Sequence, residues 1–245
     1  MSNSRWKELW MNRPTEQDFF EEEGQSFEAK FLMLKRINGF DILDNGISYA
    51  AFVEQYQNSV KNLEWGAEFS ERERRVFEIG CGSGANLLLF AKDGYIVGGV
   101  DYSEKLISLA KEVLPKANTI EMIAKEAIDM PFDIQYDMVF SNGVFSYFSD
   151  LEYAEAVLEK MLKKSKYSLG ILDIHDKEKQ EEFIAYRRKI IEDYDKRYEG
   201  LDKLFYQKQF FIDFAAKHGL KIRFDQMDVT GYWNNDFAFN CYMYQ

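Results

Sequence analysis

The stretch FEIGCGSGAN, Phe77 to Asn86, sets Gly80, Gly82 and Gly84 on alternate positions directly behind an apolar run that carries one acid, Glu78. Glycines at a strand-to-helix turn let a ligand approach bare backbone, and the helix beyond offers its first N–H groups to a negative group. Three alternating glycines exceed the needs of a single tight turn. The run Gly80-Cys81-Gly82-Ser83-Gly84-Ala85 satisfies the G-x-G-x-x-G/A dinucleotide fingerprint, with Asp101 roughly twenty residues on. The same residues suit a nucleoside bearing an amino group, because a carboxylate at Glu78 welcomes an ammonium and sits poorly beside a pyrophosphate. Asp101 stands where an acid takes two ribose hydroxyls, and Glu126, in KEAIDMPF, suits the exocyclic amine of adenine.

The elements that must hold these residues follow from apolar periodicity. A strand at Val76–Ile79 leads through the glycine loop to a helix at Asn86–Lys92, a turn at Asp93–Gly94, and a second strand at Tyr95–Val100 ending in Asp101. Ser103 is the expected N-cap of a helix with Leu106, Leu109, Ala110 and Val113 at helical spacing, stopped by Pro115. Further strands are expected at Thr119–Ala124, Asp137–Ser141 and Tyr167–Leu172, with a turn at Asn142–Gly143 and a helix capped by Asp150 before the last of them. This alternation predicts β-α units on a parallel sheet. Asp176–Arg197 reads as one long charged helix and Gln207–His218 as a shorter one closed by Gly219. The runs Leu220–Met227 and Asp236–Tyr244, joined by DVTGYWNN, are too closely connected for a parallel crossover and predict an antiparallel pair. Residues 1–74 read as helical and irregular, with acids at Glu21–Glu23, an apolar stretch at Phe31–Ile37, turns at Asn38–Gly39 and Asn45–Gly46, and a helix from Ser48 to Leu63.

Other reactive residues are sparse. His175, just past the fifth strand, lies at the carboxyl edge where α/β sheets open their crevice, and is a candidate general base; beside Asp173 and Asp176 it also reads as a salt-linked turn residue. His218 ends a helix, where a cation is favoured without any function. Cys81 is expected to lend the loop its N–H, with no role for its thiol. The basic clusters Lys160–Lys166 and Arg187–Lys189 are interrupted by acids and read as solvated faces. Two aromatic groups, Trp6, Trp10, Phe19 and Phe20 and then Tyr232, Trp233 and Phe237, are mostly core but expected to contribute some pocket wall.

Composition limits the function classes. The 245 residues include 21 Phe, 15 Tyr and only 3 Pro, which describes a folded chain and excludes a disordered one. Two Cys and two His without ligand spacing exclude a zinc cluster, so no metal is expected. A net charge of −11 repels polyanions, which argues against nucleic acid as a partner. With no apolar signal core in MSNSRWKELW and no spanning stretch, no membrane association is expected and the cytoplasm is the expected address.

The run VFEIGCGSGANLLLFAKDGYIVGGVDYSEKLISLAKEVL resembles the cofactor half of the class I S-adenosylmethionine-dependent methyltransferases, over roughly Arg75 to Asp173. The acid-x-Gly-x-Gly-x-Gly motif of that family falls on Glu78, Gly80, Gly82 and Gly84, its ribose acid on Asp101 and its adenine neighbour on Tyr102. A common D-A-x-x-L-P-F stretch corresponds to Glu126 through Phe132, with Glu in place of Asp. The resemblance implies a Rossmann-like, doubly wound, mostly parallel seven-stranded sheet with an antiparallel last strand. It implies S-adenosyl-L-methionine as cofactor, S-adenosyl-L-homocysteine as product, and a cofactor site of Glu78, Gly80, Cys81, Gly82, Gly84, Asn86, Asp101, Tyr102, Glu126, Ala127, Ser141 and Asn142; His175, by its place past the fifth strand, is the catalytic candidate. The expected organisation is a helical cap over residues 1–74 and a methyltransferase domain over 75–245 with a lid insertion at about 176–218, as monomer or homodimer. The expected acceptor is an O or N of a small polar metabolite of sugar or natural-product type. An RNA or protein methyltransferase, a non-catalytic cofactor-binding subunit and a dehydrogenase stay open as alternatives.

Overall fold

The computed structural model describes residues 4–12, 26–40, 46–66 and 74–245. Helix α1 (Ser4–Met11) comes first. Helices α2 (Phe27–Ile37) and α3 (Tyr49–Leu63) each begin at a serine, Ser26 and Ser48, whose hydroxyl accepts from the amide of Ala29 and Ala51. Such caps are worth about 1 kcal/mol apiece. Strand β1 (Arg75–Ile79) then opens a run of five strands and three helices: α4 (Ala85–Lys92), β2 (Ile96–Asp101), α5 (Glu104–Val113), β3 (Thr119–Ala124), β4 (Tyr136–Asn142), α6 (Leu151–Lys164) and β5 (Ser165–His175). Ser103 and Asp150 cap α5 and α6 as their spacing predicts. The chain continues through α7 (Gln180–Ile190), α8 (Tyr194–Arg197), α9 (Lys208–His218), β6 (Lys221–Gln226) and β7 (Ala238–Tyr244).

The sheet has seven strands in the order β3-β2-β1-β4-β5-β7-β6. Strand β7 runs antiparallel to both β5 and β6, so six strands share one direction and only the last in the chain opposes them. The expected closing pair forms, but β7 inserts between β5 and β6. The edge at this end of the sheet is therefore β6, whose Lys221, Arg223 and Asp225 discourage further strand pairing.

Side chains alternate across each strand, and this sorts the core into two layers. Val76 joins Phe31, Leu34, Leu63 and Leu87 on the face covered by α2 to α5. Phe77 and Ile79 join Leu158, Met161 and Phe211 on the face covered by α6 and α9. Glu78, between them in β1, must therefore point toward α2 and α4, into apolar surroundings.

Two expectations are corrected. The charged segment Asp176–Arg197 is a helical turn and two helices, broken at Asp193, which takes a left-handed φ of 53°. Only Phe183 of α7 is buried, so no apolar stripe holds a continuous helix straight. Within Lys160–Lys166, assigned above to a solvated face, Lys164 is completely buried. It donates to Glu121 Oε1 at 2.6 Å and to the carbonyls of Pro131 and Ile134, under the rings of Phe77 and Tyr136. Among the described residues no helix is long and apolar enough to cross a membrane.

Candidate functional site

The glycine loop leaves the carboxyl end of β1, at the centre of the sheet. Gly80, Gly82 and Gly84 take φ of 68°, 52° and 81°, a region that side chains with a Cβ rarely enter. Space forbids a side chain as well: a Cβ on Gly80 would overlap Val144, and one on Gly82 would overlap Asn38. The loop amides are engaged within the protein. Gly80 and Cys81 both donate to Val100 O (2.8 and 3.1 Å), Gly82 to Asp101 Oδ2 (3.0 Å), Ser83 to Asn38 Oδ1 (2.8 Å) and Gly84 to Cys81 O (2.9 Å). The Cys81 N–H, expected to face a ligand, instead pins the loop to β2. Its thiol is buried, and a Cβ on Gly99 would overlap it.

Behind the loop lies a chain of buried polar groups. Glu78 is 2% exposed; Asn86 Nδ2 donates to its Oε1 at 2.5 Å, and its Oε2 has no partner. Lys35 of α2 donates to Asn86 Oδ1 at 2.6 Å. Burial raises the Glu78 pKa, partly offset by Asn86 and Lys35, and burial lowers that of Lys35. From β4, Ser141 donates its hydroxyl to Ile79 O at 3.1 Å, bracing the strand ends, while Asn142 holds a buried Oδ1 without a partner. These orphaned oxygens and the cleared loop backbone fit an ammonium-bearing ligand lying across β1 and β4.

At the end of β2, Asp101 accepts from Gly82 N through Oδ2 and from Ser103 N through Oδ1. Burial raises its pKa to about 6, against the pull of those two hydrogen bonds. Tyr102 lies beside it, half-buried, with the Lys7 ammonium 5.8 Å from its ring centroid. Lys7 also pairs with Glu126, whose other oxygen accepts from Tyr153 at 3.3 Å. Ala127 begins the helical turn after Glu126. The structure thus gathers Glu78, the three glycines, Asn86, Asp101, Tyr102, Glu126 and Asn142 along the carboxyl ends of β1 to β4.

Strand β5 contributes a residue that the sequence reading passed over. Asp173 sits at a register shift in β5 with a left-handed φ of 57°, 6% exposed, its amide donating to Asn240 Oδ1. Its carboxylate accepts from the Tyr232 hydroxyl and Asn234 Nδ2, each at 2.7 Å, and burial raises its pKa. An acid inside the apolar run LGILDIH was the available signal. His175, two residues on, is the last residue of β5 and is 5% exposed between the rings of Phe183 and Phe205. Burial, with Lys203 and Arg187 nearby, lowers its pKa well below the usual value, so it is a neutral ring. The aromatic residues expected as wall divide. Trp233 and Phe237 join the Phe183 cluster, Tyr232 meets Asp173, and Trp6 and Trp10 stand edge-on to Tyr147. Phe19, Phe20, Glu21–Glu23 and Asn45 lie outside the described residues.

A family model described as a methyltransferase domain matches residues 77–169. A malonyl-[acyl-carrier protein] O-methyltransferase of Priestia megaterium is 28% identical over 138 residues, 55% of this chain and 48% of that protein. The chain thus spans about half the length of that curated relative. Among solved structures, the magnesium protoporphyrin IX methyltransferase of Synechocystis PCC 6803 with bound S-adenosylmethionine superposes with a TM-score of 0.60 at 16% identity, covering 99% of this chain and 96% of that one. An amino pentose methyltransferase of Micromonospora echinaspora gives 0.61 at 12% identity, covering 91% and 99%. Residues 77–169 thus match a methyltransferase domain, and the chain shares the fold of these solved methyltransferases.

Proposed function

From that domain, we infer that the chain transfers a methyl group from S-adenosylmethionine to an oxygen or nitrogen of a small polar metabolite. The loop Gly80–Gly84, with its amides engaged inside the protein, is the observation that carries this reading. A pyrophosphate would need those N–H groups, whereas an adenosine joined to an amino acid needs open backbone and two flanking acids. Bound S-adenosylmethionine supplies a sulfonium-activated methyl group, taken by the acceptor in an in-line displacement.

The residues of the chain bind, orient and keep out water. Glu78 and Asn142 receive the ammonium, Asp101 takes the ribose hydroxyls, and Tyr102 and Glu126 flank the base. Gly80, Gly82 and Gly84 provide clearance, while Cys81, Asn86, Ala127 and Ser141 hold these groups in place. The helical segment within 1–74 serves as cap and residues 176–218 as lid over the carboxyl edge. On the acceptor side, Asp173 retains accepting capacity on both oxygens and takes the proton of the acceptor hydroxyl or amine; its raised pKa suits that task. His175, neutral and enclosed, serves as pocket wall. The relatives' named acceptors, an acyl-carrier-bound malonyl group and an amino pentose, support a small polar acceptor. A net charge of −11 disfavours nucleic acid.

Parallel calorimetric titrations with S-adenosylmethionine, S-adenosylhomocysteine and NAD test the cofactor. Binding of the first two and none of NAD is expected; binding of NAD alone would return the site to the dehydrogenases. Asp101→Ala is expected to weaken S-adenosylhomocysteine binding by about 1–3 kcal/mol, the cost of leaving polar partners unpaired. In the unmodified protein, affinity should fall as pH drops through about 6, where Asp101 takes up a proton and loses accepting power. The same raised pKa contributes stability that is fully present below the ordinary value of 3.8 and is lost as pH rises through about 6. Unchanged affinity in both tests removes Asp101 from the site.

Asp173→Asn is expected to keep S-adenosylhomocysteine affinity within threefold of roughly its starting value while methyl transfer falls about 10²- to 10⁴-fold, the usual worth of a positioned base. Transfer of labelled methyl to a panel of hydroxy acids, amino sugars and acyl thioesters reads this out. Undiminished transfer would take the proton-accepting role from Asp173.

A further inference from the structure

We propose that the acceptor carries a carboxylate besides the hydroxyl or amine that is methylated, and that Lys203 of the lid, supported by Arg187, receives it. The assignment rests on the methyltransferase reading above and adds to it the charge of the substrate.

Backbone hydrogen bonds fix where Lys203 stands. The amide of Leu204 donates to Ser146 O at 2.8 Å and that of Tyr206 to His175 O at 2.9 Å, so this part of the lid reaches from the turn after β4 to the end of β5. Asp173 lies in the same strand end, and Lys203 is among the groups that offset the rise burial gives its pKa. The Lys203 ammonium stands 3.6 Å from the ring centroid of Tyr147 and 5.1 Å from that of Trp6, and its hydrogen bond to Ser146 Oγ is long, at 3.4 Å. Arg187 of α7 has its guanidinium 4.6 Å from the ring centroid of Trp233 and donates to the Tyr198 hydroxyl at 3.0 Å. Its charge bears on the same place: burial, then Lys203 and Arg187, lowers the His175 pKa.

Among the described residues, neither cation has a carboxylate within ion-pair distance. Acids are at hand in the lid, and its exposed cations use them: Arg188 pairs with Asp195 at 2.9 Å and Lys179 with Glu182 at 3.0 Å. Lys203 and Arg187 turn instead to aromatic rings, which steady a cation without spending its hydrogen-bond donors. Both stay half-buried, as do Tyr147, Trp6 and Trp233 around them, so the pair keeps an accessible side. Charge then selects the ligand. Ionised Asp173 brings one negative charge, the two cations bring two positive ones and His175 is neutral, so a single carboxylate balances the site. A phosphate monoester would overshoot, and an amine without an acid would add to the excess. The chain as a whole carries −11, so this positive spot is not part of a basic surface.

The test titrates benzoate, its uncharged isostere benzamide and phenyl phosphate by calorimetry into the protein, with and without saturating S-adenosylhomocysteine. Benzoate should bind roughly 10-fold or more tightly than benzamide, the worth of a hydrogen bond between charged groups. That margin should shrink as ionic strength rises. Lys203→Met should abolish the preference and leave S-adenosylhomocysteine affinity unchanged, while Lys203→Arg should keep the preference. Equal affinity for benzoate and benzamide in the unmodified protein, or binding of neither, overturns the proposal whether or not the variants fold. So does a preference that survives in folded Lys203→Met, and tighter binding of phenyl phosphate than of benzoate overturns the carboxylate. If S-adenosylhomocysteine does not bind while benzoate is still preferred and that preference is lost in Lys203→Met, the cofactor reading falls and the anion site stands.

Discussion

Gly80→Ala is expected to cut affinity for S-adenosylhomocysteine by roughly 100-fold or more. Two costs combine. The position holds φ at 68°, where a residue with a Cβ pays about 1–2 kcal/mol. The new methyl also overlaps Val144, the residue after the Asn142–Gly143 turn, and relieving that overlap displaces the wall of the site on the β4 side. Together these reach about 3 kcal/mol, and each 1.4 kcal/mol is tenfold in affinity. Gly94→Ala is the control: its φ of 86° carries the same backbone strain, but a Cβ there meets nothing within 4 Å. It should lower stability slightly and leave binding unchanged. Adding Val144→Ala to Gly80→Ala should recover part of the affinity, and no recovery would mean that backbone strain alone, without the overlap, accounts for the loss.

Lys164→Met is expected to destabilise the fold by about 3–5 kcal/mol, the usual cost of removing one partner of a buried ion pair. The side chain is completely buried, and its loss strands Glu121, which is 15% exposed, together with the carbonyls of Pro131 and Ile134. For a chain of this size the melting temperature should fall by roughly 10 °C, read by calorimetry or urea unfolding. Pairing the change with Glu121→Leu should return much of the stability, since the double variant leaves no buried carboxylate alone. A single variant within about 1 kcal/mol of the unmodified protein would mean that Glu121 finds water when Lys164 is gone.

Much of the fold and part of the site were legible in the sequence. The glycine loop, the acids Glu78 and Asp101, the serine and aspartate caps and the order of strands and helices rest on short-range rules. Period-2 and period-3.6 patterning, capping side chains and positive-φ glycines act within a few residues, so neighbouring letters carry the information. Lys35, Asp173 and Lys164 were missed for one shared reason. Lys35 and Asp173 are charges inside apolar runs and Lys164 is one lysine among several, and the partners of each lie far along the chain: Lys35 is 51 residues from Asn86, Asp173 is 59 from Tyr232, and Lys164 is 43 from Glu121. For Lys35 and Asp173 the sequence shows only the anomaly of a charge where an aliphatic residue would serve, and for Lys164 it shows nothing that sets it apart from its neighbouring lysines.

The amino-acid sequence by itself determined the alternation of strands and helices, the bare backbone at Gly80 to Gly84 and the acids that flank it, because these depend on local sterics and spacing. Tertiary structure alone decided that the loop amides are already engaged, that His175 is an enclosed neutral ring, that β7 slips between β5 and β6, and that α2 delivers an ammonium to Asn86 beside Glu78. Those outcomes depend on which distant groups share a desolvated space, where the cost of an unpaired charge or N–H selects partners that no local pattern encodes.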